Sequence, residues 1–159
     1  MRCKLPARMP RPNMMRNSLA IALSGLLLFW SGGCASYSRA RTAKRVQENA
    51  ALTTAQEWVE LLDASEYQKA FERRAQPAHA NITAEEFARR MRSYRTAFGR
   101  VISRKFIGAH SSRKLVGLPD GEYETVLFKT RFEHKSTGAE RVILTKAGGR
   151  RQVIGYRVY

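Results

Sequence analysis

An α+β fold, with three N-terminal helices packed on a four-stranded antiparallel meander sheet, is the architecture this 159-residue chain predicts. Three observations point there. Up to Gly99 the apolar residues recur every three or four positions, as on one face of a helix. From Val101 onward the period drops toward two, and branched and aromatic residues dominate. The later segments are separated by Pro119-Asp120-Gly121 and by Gly148-Gly149, which is turn chemistry. An apolar content of 43% supplies the material for one packed core.

The first helix is expected over about 42–64, where Ala51, Ala55, Trp58, Leu61 and Leu62 make one apolar stripe. Ser65 is expected to open a second helix, with Gln68 at capping-box spacing. Tyr67, Ala70 and Phe71 form its inner face, and Pro77 closes it. The third helix has the clearest local signature: Thr83 as cap, Glu86 at the third position, and Ile82 with Phe87 as a hydrophobic staple. Phe87, Met91, Tyr94 and Phe98 continue its stripe and Gly99 ends it. Arg89, Arg90, Arg92 and Arg95 fall largely outside that stripe and read as a solvated face.

"VISRKFIGAH" has strand composition but poor alternation. "ETVLFKTRFE" alternates well: Val126, Phe128, Thr130 and Phe132 point one way, Leu127, Lys129, Arg131 and Glu133 the other. "ERVILTK" and "QVIGYRVY" complete the meander around the tight "AGGR" turn.

Ahead of this domain, residues 1–33 hold Arg2, Lys4, Arg8, Arg11 and Arg16 and no acid, followed by an apolar run over 19–30. Spanning a bilayer takes roughly 20 apolar residues, so the layout is that of a secretory signal rather than a membrane helix. Of the two cysteines, Cys3 lies in this leader, which leaves Cys34 without a disulfide partner once the leader is removed. The stretch "SGGC", with small Gly32 and Gly33 before Cys34, resembles bacterial lipoprotein signals, although Ser31 stands where a branched apolar residue is usual. The resemblance implies cleavage between Gly33 and Cys34, a diacylglyceryl thioether, and an acyl group such as palmitate on the new N-terminus. Several chains together exceed the marginal hold of one. By the same resemblance to lipoproteins, in which an Asp after the cysteine favours inner-membrane retention, Ala35 implies the outer membrane facing the periplasm. Ordinary cleavage near Ala35 is the alternative and gives a soluble periplasmic or secreted protein. A start at Met14 or Met15 would give a more typical leader. Residues 34–50 then form a lipidated tether with Arg39, Arg41, Lys44 and Arg45, and 51–159 the single domain.

The chain carries 29 Lys and Arg against 13 Asp and Glu, a formal charge of +16. In an envelope this surplus suits anionic polymers such as lipopolysaccharide phosphates, or another envelope protein, and not nucleic acid. Lys129, Arg131, Arg141, Arg151 and Arg157 each stand opposite apolar strand neighbours and are expected to share one basic sheet face, either anion-binding or simply solvated. No catalytic, metal or cofactor site is expected. His79, His110 and His134 lack metal-ligand spacing. Ser103, Ser111, Ser112, His110 and Asp120 offer triad residue types without a nucleophile elbow. Asp63, Glu124, Tyr123 and Tyr156 are the types an acid–base pocket would use, with Asp63 read as a turn or capping residue. The function expected is a non-enzymatic accessory or binding domain. The alternative is a small-ligand carrier or an enzyme using a pocket between helices and sheet, unless Trp58, Phe71, Phe98 and Phe128 fill it.

The ordered segments "AQEWVELLDASEYQKAFE", "SRKFIGA", "PDGEYETVLFKTRFEHK", "AERVILTK" and "QVIGYRV" resemble the secreted bacterial family called domain of unknown function 4019. Ser65 stands where that family often has Gly, and Phe71 and Arg151 where Trp is common. The resemblance implies no established activity. Its order of elements is similar to cystatin-like and nuclear-transport-factor-like cone folds, an analogy that leaves function open.

Overall fold

A computed structural model describes residues 33–159, with side chains from Arg39 onward. The leader up to residue 32 and the Cys34 side chain lie outside the described residues. Helix α1 runs Gly33–Asp63, α2 Tyr67–Glu72 and α3 Ala84–Thr96, with a 3-10 turn at Gln76–Ala78. The strands are β1 Val101–Ser112, β2 Tyr123–Phe132, β3 Gly138–Ala147 and β4 Arg150–Val158. They form one antiparallel sheet in the order β1-β2-β3-β4, so the predicted meander and its helices-first layout are what the chain adopts.

Helix α1 begins at Gly33, not near Thr42. No proline or glycine interrupts the segment after Gly33, and Ala, Arg, Lys, Gln and Glu favour helix, so it runs through the expected tether. No helix among the described residues is long and apolar enough to cross a membrane.

Ser65 does not open α2. Its φ of 60° is left-handed, and it ends α1: Glu66 N–H donates to Leu61 O at 2.8 Å and Ser65 N–H to Leu62 O at 3.1 Å. This is the double-bonded helix stop that glycine favours. The start of α3 is as predicted, with Glu86 N–H donating to Thr83 Oγ1 at 3.2 Å.

The core lies between α1 and one face of the sheet. Ala51, Ala55, Trp58, Val59 and Leu62 of α1 pack with Val126, Phe128, Val142, Leu144 and Val153, joined by Tyr67, Ala70 and Phe87. Trp58 is 1% exposed, and its Nε1–H donates to Ala70 O at 2.8 Å, which ties α1 to α2. Helix α3 reaches the far end of the sheet, where the Tyr94 hydroxyl donates to Val158 O at 3.2 Å and accepts from Val158 N–H at 2.8 Å. The Phe98 and Phe132 rings meet there at 5.4 Å.

Candidate functional site: the outer face of the sheet

Strand alternation divides the sheet into a helix-covered inner face and an outer face. Register fixes the outer set. Lys105 lies opposite Lys129, and Lys129 opposite Ala139. Leu127 pairs with Arg141, and Arg141 with Arg157. Ser103 is opposite Arg131, and Thr125 opposite Ile143. Tyr159 exchanges backbone hydrogen bonds with Ala139, and its ring lies 5.2 Å from the Arg141 guanidinium and 5.3 Å from that of Arg157.

The sheet's acids lie elsewhere. Glu124 and Glu140 are the only carboxylates within the four strands, and both face inward. Among the described residues none of Lys105, Lys129, Arg131, Arg141 and Arg157 forms an ion pair. Two of the cross-strand pairs, Lys105 with Lys129 and Arg141 with Arg157, set like charges directly opposite each other. That arrangement destabilises a sheet by a few tenths of a kcal/mol to about 1. The outer face therefore keeps a concentration of positive charge that no carboxylate among the described residues neutralises.

Arg151 is not part of it. A bulge between the partners of Ile143 and Leu144 inserts one extra residue in β4 and reverses the alternation beyond it. Arg151 consequently faces inward, where Nε and Nη2 donate to the two oxygens of buried Glu124 at 2.6 and 3.1 Å. Lys105 takes its place on the outer face. Lys105 is hidden in the sequence because two bulges in β1, at Ile102 and Ile107, scramble that strand's alternation.

Inside, a network of charged and hydroxyl groups joins α1 and α3 to all four strands. Glu140, fully buried, accepts from Arg95 Nη1 at 3.0 Å, Arg104 Nε at 2.6 Å, Thr130 Oγ1 at 2.6 Å and the Tyr156 hydroxyl at 2.6 Å. Asp63 accepts from Arg104 Nη1 at 2.7 Å and pairs with Arg95. Asp63 thus closes an ion network and is not the turn residue expected. Arg95, 6% exposed, corrects the solvated-face expectation. Four residues beyond Met91, it continues the apolar stripe of α3, a signal the spacing contains. Two carboxylates balance two guanidinium groups, so the network is neutral overall.

Burial pushes the Glu140 carboxyl up, but the hydrogen bond and charge of Arg104, with Thr130 and Tyr156, hold it below the usual carboxylate range. Burial raises the Tyr156 hydroxyl, and the Glu140 charge raises it further. Burial opposes charge on Arg95 and Arg104 as well, yet their acidic partners leave both above the ordinary arginine value. Glu140, Asp63, Arg95, Arg104, Thr130 and Tyr156 thus bond to one another, which holds their elements together.

The remaining sequence candidates do not converge. Tyr123 donates to Pro119 O at 2.6 Å and Asp120 pairs with Lys114 at 3.5 Å. Ser103 and Ser111 sit at opposite ends of β1. The His79 ring stacks on Phe71 at 4.3 Å and its Nε2 bonds Phe71 O at 2.8 Å, while His110 is exposed. Among the described residues no three His, Cys, Asp or Glu side chains gather as a metal site would require. Open clefts of about 600, 440 and 320 Å³ flank α1 where it passes the end of the sheet, all touching Gln47.

The fold and site define an α+β domain with a filled, ion-stitched interior and an unpaired cationic sheet face. The chain belongs to the family described as protein of unknown function (DUF4019), whose model matches residues 54–156. No curated protein and no solved structure matches it.

Proposed function

We propose that this protein is an envelope lipoprotein whose domain is a non-enzymatic binding module, with the outer sheet face as its working surface. The observation that carries the proposal is the sorting of charge. Both strand carboxylates are committed to inward arginines, and Lys105, Lys129, Arg131, Arg141 and Arg157 stay unpaired outside. The partner class is an anionic envelope component, polymer or surface, attracted by that field. A domain with Trp58 and Phe128 at 1% and 0% exposure under the helices supports binding on the outside over chemistry within. The cystatin-like or nuclear-transport-factor-like cone shape belongs to this proposal too.

Replacing Lys129, Arg131 and Arg157 together by Gln is expected to weaken binding to lipopolysaccharide at least tenfold at low salt. The difference should shrink near 0.5 M salt, where screening acts within a few ångströms. Unchanged binding at low salt would leave the face merely solvated. Anchoring has its own test. Cys34→Ser should abolish incorporation of an acyl label and block signal cleavage, and a mature N-terminus beyond Cys34 would refute lipidation.

A second reading, a carrier of a small amphiphile, draws on the cleft of about 600 Å³ beside Val46, Lys146 and Arg151. Val46→Glu should abolish uptake of such a ligand and leave the sheet face unaffected.

A further inference from the structure

The outer face is not only cationic. Ile107, the extra residue of a β1 bulge, is 59% exposed and stands with Gly108 opposite Leu127. Leu127 and Ile143 are half-buried on this face and take no part in the core beneath the helices. The Ile143 side chain lies over Gly155, 3.3 Å from where a Cβ would be, so a larger residue at 155 would displace it. Tyr159, 49% exposed, sits beside Arg141 and Arg157. Apolar and aromatic groups are thus interleaved with five cations across four strands, instead of being ringed by a polar rim as in a protein–protein patch.

We propose that this face docks flat on a bilayer surface carrying anionic phosphate headgroups. The inference rests on the binding-module reading above and names its partner. A soluble polyanion engages charge alone and leaves Ile107, Leu127 and Ile143 in water. A bilayer offers both components in one plane: phosphates for the lysine and arginine heads, and the acyl boundary for the isoleucines and leucine. Lysine and arginine suit that geometry, because their stems lie along apolar surface while their heads reach phosphate. Tyrosine, apolar with a polar tip, favours the same depth. The like-charge pairs Lys105–Lys129 and Arg141–Arg157, costly in the free sheet, become favourable against a row of phosphates.

The test uses the full chain reconstituted in vesicles, so that anchoring is common to all samples and only face contact is read. The readout is the rate at which a water-soluble amine reagent modifies Lys129, with Lys69 on α2 as internal control. Lys69 is on the helix side of the sheet, and its side chain is 66% exposed. In vesicles rich in phosphatidylglycerol, Lys129 modification is expected to slow about tenfold relative to phosphatidylcholine vesicles, with Lys69 unchanged, and to recover at 0.5 M salt. Ile107→Ser should restore Lys129 reactivity about fivefold in the anionic vesicles. It should not alter protection by soluble polyphosphate added to phosphatidylcholine samples. Protection by polyphosphate but not by anionic vesicles overturns the bilayer inference and leaves the anion-binding reading standing. Protection by neither overturns both. Protection in phosphatidylcholine vesicles that grows with protein density would identify a second protein copy as the occupant and also overturn it.

Discussion

Two residues carry backbone conformations that the chain obtains in opposite ways. Gly99 has φ +72°, and a Cβ there would lie 2.8 Å from Glu133 Cβ, so glycine is required by both conformation and space. Ser65 adopts φ 60° without being glycine, where an L side chain costs roughly 1–2 kcal/mol. Glycine at 65 also adds freedom to the unfolded chain, which returns part of that gain. Ser65→Gly is therefore expected to stabilise by about 0.5–1 kcal/mol, read as a higher urea midpoint with unchanged slope. A lower midpoint would mean that the serine side chain contributes an interaction outweighing its strain.

Among the elements, α1 does most of the covering, and Trp58 is its largest buried side chain. Trp58→Ala removes the ring that meets Tyr156 at 5.4 Å and leaves the Ala70 carbonyl without its donor. A loss of about 3–5 kcal/mol in denaturant melts is expected; less than about 1 would mean that α2 collapses into the space. The stripe containing Trp58 was legible because a helix against a sheet must bury one face at fixed spacing. So was β2, whose inward Val126, Phe128, Thr130 and Phe132 are all buried. Elsewhere the pattern misleads for identifiable reasons. One inserted residue in β4 turns Arg151 inward, and two in β1 hide Lys105, because each bulge shifts a period of two by half a cycle. Arg95 and Glu140 are hidden differently. Each lies in phase with its element's apolar stripe, yet charge at such a position reads as a break in the stripe until the partner is known. Pairing across 45 residues is not local information.

For the molecule as a whole, the Glu140 network links α1, α3 and all four strands, and so couples global stability to pH. Glu140→Gln leaves buried Arg95 and partly buried Arg104 facing one carboxylate, and breaking a buried pair in this way costs about 3–5 kcal/mol at pH 7. In the wild type, Glu140 titrates below its unfolded value, so between the two values the unfolded chain binds more protons than the native one. Its contribution is then fully present above an ordinary carboxylate value of about 4.3 and is lost as pH falls through the depressed native value. Tyr156 works in the other direction. Its raised native value means that the hydroxyl, donating to Glu140 while accepting from Arg95 at 2.7 Å, is needed in protonated form. That contribution is complete below about pH 10, the ordinary tyrosine value, and declines above it. Urea midpoints of the wild type should therefore fall on both sides of a neutral plateau. The acid decline should be shallower in Glu140→Gln, and the alkaline decline shallower in Tyr156→Phe. Exposed Glu85 and Glu133 also titrate low and keep some acid sensitivity in every variant, so the comparison rests on the difference in slope from the wild type. An acid decline just as steep without Glu140 would show that the network is held by packing alone and that its charges are incidental to stability.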